Sequence, residues 1–178
     1  TGVQTCALPI SSIDLATNGA ILYTKTLNAG NSSTSGTITG QWTLVGSSTL
    51  QATYADLAEY YEGDKEYEVG TVLVFGGEKE VTLTNQVSDT RVAGVVSNTA
   101  AYSMNADCPG NKVLIALQGR VPVKVVGRVR KGDMLTTAAT PGHATKALDP
   151  KLGSIIGKAL EDKDYGEAGV IQVAIGRM

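Results

Sequence analysis

The stretch YADLAEYYEGDKEYEVG, residues 54–70, gathers the groups most able to do acid–base or metal chemistry. It holds six carboxylates (Asp56, Glu59, Glu62, Asp64, Glu66, Glu68), a single lysine, Lys65, and the tyrosines Tyr54, Tyr60, Tyr61 and Tyr67. Three readings fit these residue types. Spaced by three, Asp56, Glu59 and Glu62 would form one stripe on a helix. Leu57, Tyr60 and Tyr61 would then dock, and the acids would stay in water near a favourable helix N-terminus. Carboxylates of neighbouring subunits could instead converge on Ca²⁺, which takes oxygen ligands, although the sequence has no D-x-D-x-D-G loop. In the third reading one carboxyl in an apolar pocket beside tyrosines has its pKa raised and donates a proton.

Other constellations are poorer. His143, the lone histidine, sits in the turn TPGHATK and reads as solvated. No serine lies in a G-x-S-x-G elbow, and no phosphate- or dinucleotide-binding glycine loop is present. Cys108 precedes a proline and reads as a plain loop residue; Cys6 and Cys108 lack metal-ligand spacing. Arg128 and Arg130, alternating around Val129 and followed by Lys131, read as a solvated strand face. No metal site and no cofactor are expected.

The elements that must position the acidic stretch follow from composition and periodicity. The chain has 178 residues, 18% charged and 5% aromatic, with a net charge of -2. Such a balance gives no footprint for nucleic acid. Apolar runs such as VLIAL (113–117) are far too short to span a bilayer as a helix, so no membrane insertion is expected. Residues 1–11, TGVQTCALPIS, resemble a translated sequencing adapter and are set apart as non-native. Residues 12–53 are small, polar and β-leaning, with too few large apolar groups to bury a core alone. Trp42 and Leu44 would share one strand face and need cover from neighbouring chains.

Residues 66–178 read differently. Strand-like runs at 71–75, 80–84, 91–97, 112–118, 121–127, 133–137, 154–160 and 169–176 alternate with Gly-rich turns. An internal repeat aligns Gly70 with Gly132, Leu73 with Leu135, Gly94 with Gly157, and VLIALQGRV (113–121) with VIQVAIGRM (170–178). The expected fold is all-β: a compact barrel or sandwich built from one unit used twice, roughly 66–121 and 128–178. A polar shaft (12–53) and an acidic linker, short helix or turn (54–65) would precede it. The first unit has a longer loop, 98–111, whose Tyr102 and Met104 are the candidate binding residues for a cell-surface partner.

The runs YADLAEYYE, YEVGTVLVFGGEKEVTLT, DTRVAGVVSNTAAYSMN and ALQGRVPVKVVGRVRKGDML resemble the C-terminal domain of bacteriophage and prophage tail-fibre proteins. ADLAEYYE alone is also similar to the opening of the peptidase G2 domain, the self-cleaved chaperone of phage neck appendages. The resemblance implies a virion structural protein, made in the bacterial cytoplasm, assembling as a homotrimer with other virion proteins and meeting a host receptor. The second likeness implies that the domain nucleates the trimer and then cuts the chain once, within SSTLQATYAD (47–56). Asp56 and Glu59, with Glu62 behind them, would then be catalytic.

Overall fold

The computed structural model describes residues 46–176, together with residue 43 and the strand residues 30, 31, 34 and 35. Residues 1–11, Trp42 and Leu44, and most of the proposed shaft lie outside the described residues. The chain divides into two units, Thr1–Thr49 and Leu50–Met178. In the first, β1 (Gly30–Asn31) pairs antiparallel with β2 (Thr34–Ser35).

The second unit is all-β, with no helix among the described residues. Its strands are β3 (Asp56–Glu62), β4 (Val72–Phe75), β5 (Val81–Thr82), β6 (Val92–Val96) and β7 (Tyr102–Met104). They continue with β8 (Lys112–Val125), β9 (Met134–Thr137), β10 (Ala144–Lys146), β11 (Ile155–Ala159) and β12 (Gly169–Ile175). The order β8-β12-β11-β9-β10 returns to β8 through the parallel pair Ala144↔Val125, closing a five-stranded barrel. The same pairings recur in the remaining strands. β3 pairs with the first half of β8, which pairs with β6, then β4, then β5. A parallel bridge Gly63↔Val81 and the bond from Glu80 N–H to Glu62 C=O lead back to β3.

β8 is therefore shared. Its first half is the last strand of one barrel, and its second half is the first strand of the next. The repeat seen in the sequence is real down to register. Leu73 stands opposite Gly94, and Leu135 stands opposite Gly157, each pair beside a β-bulge. Both glycines are demanded by close approach. A Cβ on Gly94 would lie 2.4 Å from the Ala116 carbonyl oxygen, and one on Gly157 would lie 2.2 Å from that of Ala174. The repeating unit also reaches further back than residues 66 and 128, taking in β3 and the second half of β8 respectively.

The sequence reads this stretch as two runs, 112–118 and 121–127, whereas one strand runs straight through from Lys112 to Val125. Pro122 is tolerated because N–H groups alternate sides along a strand. The Lys124 N–H, two residues on, bonds the Gly70 carbonyl, so the missing Pro122 N–H falls on the side away from the ladder with β12.

Two apolar clusters fill the barrels. Leu73, Val81, Ala93, Val96, Val113 and Ile115 pack in the first. Val121, Val123, Val125, Leu135, Ile156 and Val173 belong to the second, joined by Val72 and Val95 from the first barrel. Leu73 and Leu135 are fully buried, and truncating either to alanine costs about 2–5 kcal/mol.

The acidic segment 54–65 corrects the expectation of a short helix or turn. Residues 56–62 form β3, with Leu57↔Gln118, Glu59↔Ile115 and Tyr61↔Val113 among its partners. The reason lies across the sheet. Without β3, the first half of β8 would keep a long unpaired edge.

Candidate functional site

A strand places the acids differently from a helix. Successive side chains alternate faces, so Asp56 and Glu62 share one face and Glu59 takes the other. Six residues of strand also set Asp56 and Glu62 about 20 Å apart. The three do not converge on one bond.

Each has its own surroundings. Glu62 pairs with Lys79 Nζ at 2.8 Å. A Cβ on Gly110 would meet its carboxylate at 2.2 Å, so the turn after Cys108 packs closely against it. Glu59 Oε2 accepts a hydrogen bond from the Tyr61 hydroxyl at 2.8 Å. Asp56 is the exception. It is 3% exposed, and its Oδ2 has no hydrogen-bond partner. Burying a carboxylate oxygen without a partner is costly, which sets Asp56 apart from acids that merely solvate a surface.

The backbone around Asp56 is held on both sides. Its carbonyl accepts from Ala101 N–H at 2.8 Å, and the Ala55 carbonyl accepts from Arg120 N–H at 3.3 Å. Gly119 stands opposite Asp56, and a Cβ there would lie 2.1 Å from the Ala55 oxygen. Residues 50–55 are exposed throughout, so the chain passes from solvent-facing backbone directly to a buried carboxylate. The second barrel gives a comparison. There the second half of β8, GRVPVKV, takes the place of β3 and carries no carboxylate. The barrel itself does not require Asp56.

The downstream acids are occupied. Asp64 accepts from the Tyr67 hydroxyl and from Thr82 Oγ1. Burial raises the Asp64 carboxyl, but these two hydrogen bonds outweigh it and leave the group below its ordinary value. Burial, then the Asp64 hydrogen bond, pushes the Tyr67 phenol up to about 12. Glu68 pairs with Lys124 at 2.6 Å. Among the described residues no group of three or more His, Cys, Asp or Glu side chains is arranged to hold a metal.

The loop candidates separate. Tyr102 is 61% exposed on β7, whose ladder is the parallel one with β3. Met104 is half-buried opposite Glu59. Asn105 anchors the loop by donating to the Tyr60 carbonyl at 2.8 Å. Cys108 is more than a plain loop residue, being only 2% exposed. Burial raises its thiol, and the nearby Glu80 and Glu62 raise it further, so it packs rather than reacts.

Two basic features also have defined roles. His143 Nδ1 donates to the Pro141 carbonyl at 2.9 Å within its turn. Arg130, read as solvated, bonds Asp164 at 2.5 Å, and the Lys131 N–H bonds Asp162 at 2.7 Å, tying two loops of the second barrel together.

What sequence reading missed is a clamp between the barrels. Asp89, 1% exposed, accepts from Arg91 Nη2 and Thr84 Oγ1, both at 2.7 Å. Its N–H donates to Thr137 Oγ1 of the second barrel at 2.9 Å. The Arg91 hydrogen bond is the main cause holding the Asp89 carboxyl down at about 2. The D-x-R spacing was the available signal.

No protein-family model matches the sequence, and no curated protein sequence matches it. Among solved structures the chain is similar to the pre-mature bacteriophage phi29 gene product 12, with a TM-score of 0.54 and 15% identity. The match covers 74% of this chain and 23% of that one, so the chain spans about a quarter of its neighbour. The base of the phi29 head fibre gp8.5 is also matched, at TM-score 0.33 and 15% identity over 69% of this chain and 91% of that one. At that score the second match carries no argument. The first shows the fold: these β-barrels have a counterpart in a phage protein.

Proposed function

We propose that the chain is the C-terminal part of a phage fibre or appendage, and that its barrel pair aligns and nucleates a homotrimeric shaft. The observation that carries this reading is the barrel fold shared with the phi29 protein. The core-poor residues 12–53, which precede the barrels, agree with it. Such a segment cannot bury a core unaided, so a folded domain that gathers three copies supplies what it lacks. The test is the assembly state of residues 12–178 in solution. Three chains per particle support the reading, and a folded monomer overturns it.

A second reading is favoured by Asp56. A buried carboxylate oxygen without a partner, at the boundary between exposed chain and barrel, suits a group that acts once on the backbone beside it. Water would add across one peptide bond within 47–56, releasing the barrels from the shaft they had assembled. Because Glu59 and Glu62 are engaged elsewhere, Asp56 is the acid that would act. Denaturing intact-mass measurement tests this. Two fragments meeting within 47–56 in the wild type, with Asp56→Ala left whole, support self-release. One intact wild-type chain leaves a permanent tip in which the acids are structural.

A further inference from the structure

The duplication supplies an internal control for Asp56. In the first barrel the connection from β6 to β8, residues 97–111, carries β7, which lies along β3. Its counterpart in the second barrel, residues 160–168, is shorter and carries no strand. It bridges Val129 rather than the half of β8 that takes the place of β3. That half carries no carboxylate. The extra strand and the buried acid therefore occur together in one barrel and are both missing from the other.

The extra segment passes beside the acid. Extending the β7–β3 register by one residue sets Ala101 next to Asp56, and the Ala101 N–H donates to the Asp56 carbonyl at 2.8 Å. Ala100, one residue earlier, packs against the cluster that contains Ala58. On its other side Asp56 stands opposite Gly119, which has no side chain to cover it. The hold on this segment is light. Residues 101–103 are exposed, and β7 is a three-residue strand in a parallel ladder. Among the described residues no second strand pairs with its other edge. A short, one-sided ladder with exposed hydrogen bonds opens at far smaller cost than a barrel does. The ends are better fixed. Thr99 N–H bonds Ser97 Oγ at 3.2 Å before it, and Asn105 donates to the Tyr60 carbonyl at 2.8 Å after it.

We propose that residues 100–104 are a strap closed over Asp56, and that this strap governs when water reaches the carboxylate. With the strap on β3 the acid is sealed and idle. With the strap lifted, the Ala101 N–H leaves the Asp56 carbonyl and water enters beside the group. This deepens the self-release reading, on which it rests: the strap sets the moment of the single cut and keeps the barrels joined to the shaft until then.

The test locks the strap. Leu57→Cys plus Tyr102→Cys, in a Cys6→Ser chain, places two thiols on direct register partners. Neighbouring strands lie about 4.8 Å apart, within the Cα range that a disulfide spans. Oxidation ties the strap to β3 and reduction frees it, so one protein is its own control. Amidation of carboxyl groups with glycinamide and a water-soluble carbodiimide, read by peptide mass, reports access to Asp56. Asp56 should be labelled on the order of tenfold more slowly in the oxidised protein than in the reduced one. Asn105→Gly suits the positive φ of 56° and removes the bond to Tyr60, so its Asp56 should label faster than that of the wild type. Labelling at one rate in all these proteins overturns the strap. In the intact-mass experiment the oxidised protein should be cut correspondingly more slowly than the reduced one, and equal cutting overturns the gate. A wild-type chain that stays whole overturns self-release, and the labelling then decides the strap by itself.

Discussion

Replacing Asp89 by asparagine should loosen the hold of the first barrel on the second. The carboxyl is held at about 2 in the folded chain, chiefly by Arg91, against about 3.9 in an unfolded one. Nearly two units at 1.36 kcal/mol each gives about 2.5 kcal/mol as an upper bound. The Arg91 side chain is 55% exposed, so solvent screening brings this to about 1.5 kcal/mol. For a unit of this size that corresponds to a fall in Tm of roughly 5–8 °C. The sign with pH follows from the depressed pKa. The contribution is complete above the unfolded value and is lost as pH falls from about 5 towards 2. Urea titrations of wild type and Asp89→Asn at a series of pH values isolate it, because the other carboxylates cancel in the difference. A wild-type advantage near pH 7 that shrinks below pH 5 is expected. Equal stability at pH 7, or a difference that stays flat down to pH 2.5, would refute the reasoning.

Three other outcomes follow. Asp56→Ala should raise stability by about 1–3 kcal/mol, because it removes a buried polar oxygen, Oδ2, that has no partner; a lower Tm would show that the carboxyl group is satisfied. Gly94→Ala should cost several kcal/mol, on the order of 3, because its φ of 153° disfavours a side chain and the new Cβ would press on the Ala116 carbonyl; near-wild-type melting would contradict the close approach. Lys79→Ala should leave the denaturation midpoint close to that of the wild type, since the lysine side chain is half-exposed and its pairing is screened by solvent; a clear loss in denaturant titration would mean that the Glu62 carboxylate depends on the lysine.

The repeat was legible because duplication left its marks where substitution is least tolerated. Gly94 and Gly157 must lack a side chain beside a carbonyl, and Leu73 and Leu135 stand opposite them, so those residues kept their type. The acidic strand was not legible. With acids at every third residue, ADLAEYYE satisfies helical spacing, and only its pairing along β8 settles it as a strand. β7 and β10 have three residues each, too few for alternation to register. At the site, the sequence could nominate Asp56, Glu59 and Glu62 as a group. It could not show that Tyr61 engages one and Lys79 another, leaving Asp56 with an unpartnered oxygen. The interbarrel clamp was hidden for a similar reason. Asp89 and Thr137 are 48 residues apart, and neither is unusual where it stands in the sequence.

Native mass spectrometry of residues 12–178, with the barrel pair intact, tests most directly whether these barrels exist to assemble a shaft. Particles of three chains are the predicted result. Folded single chains at every concentration would contradict it.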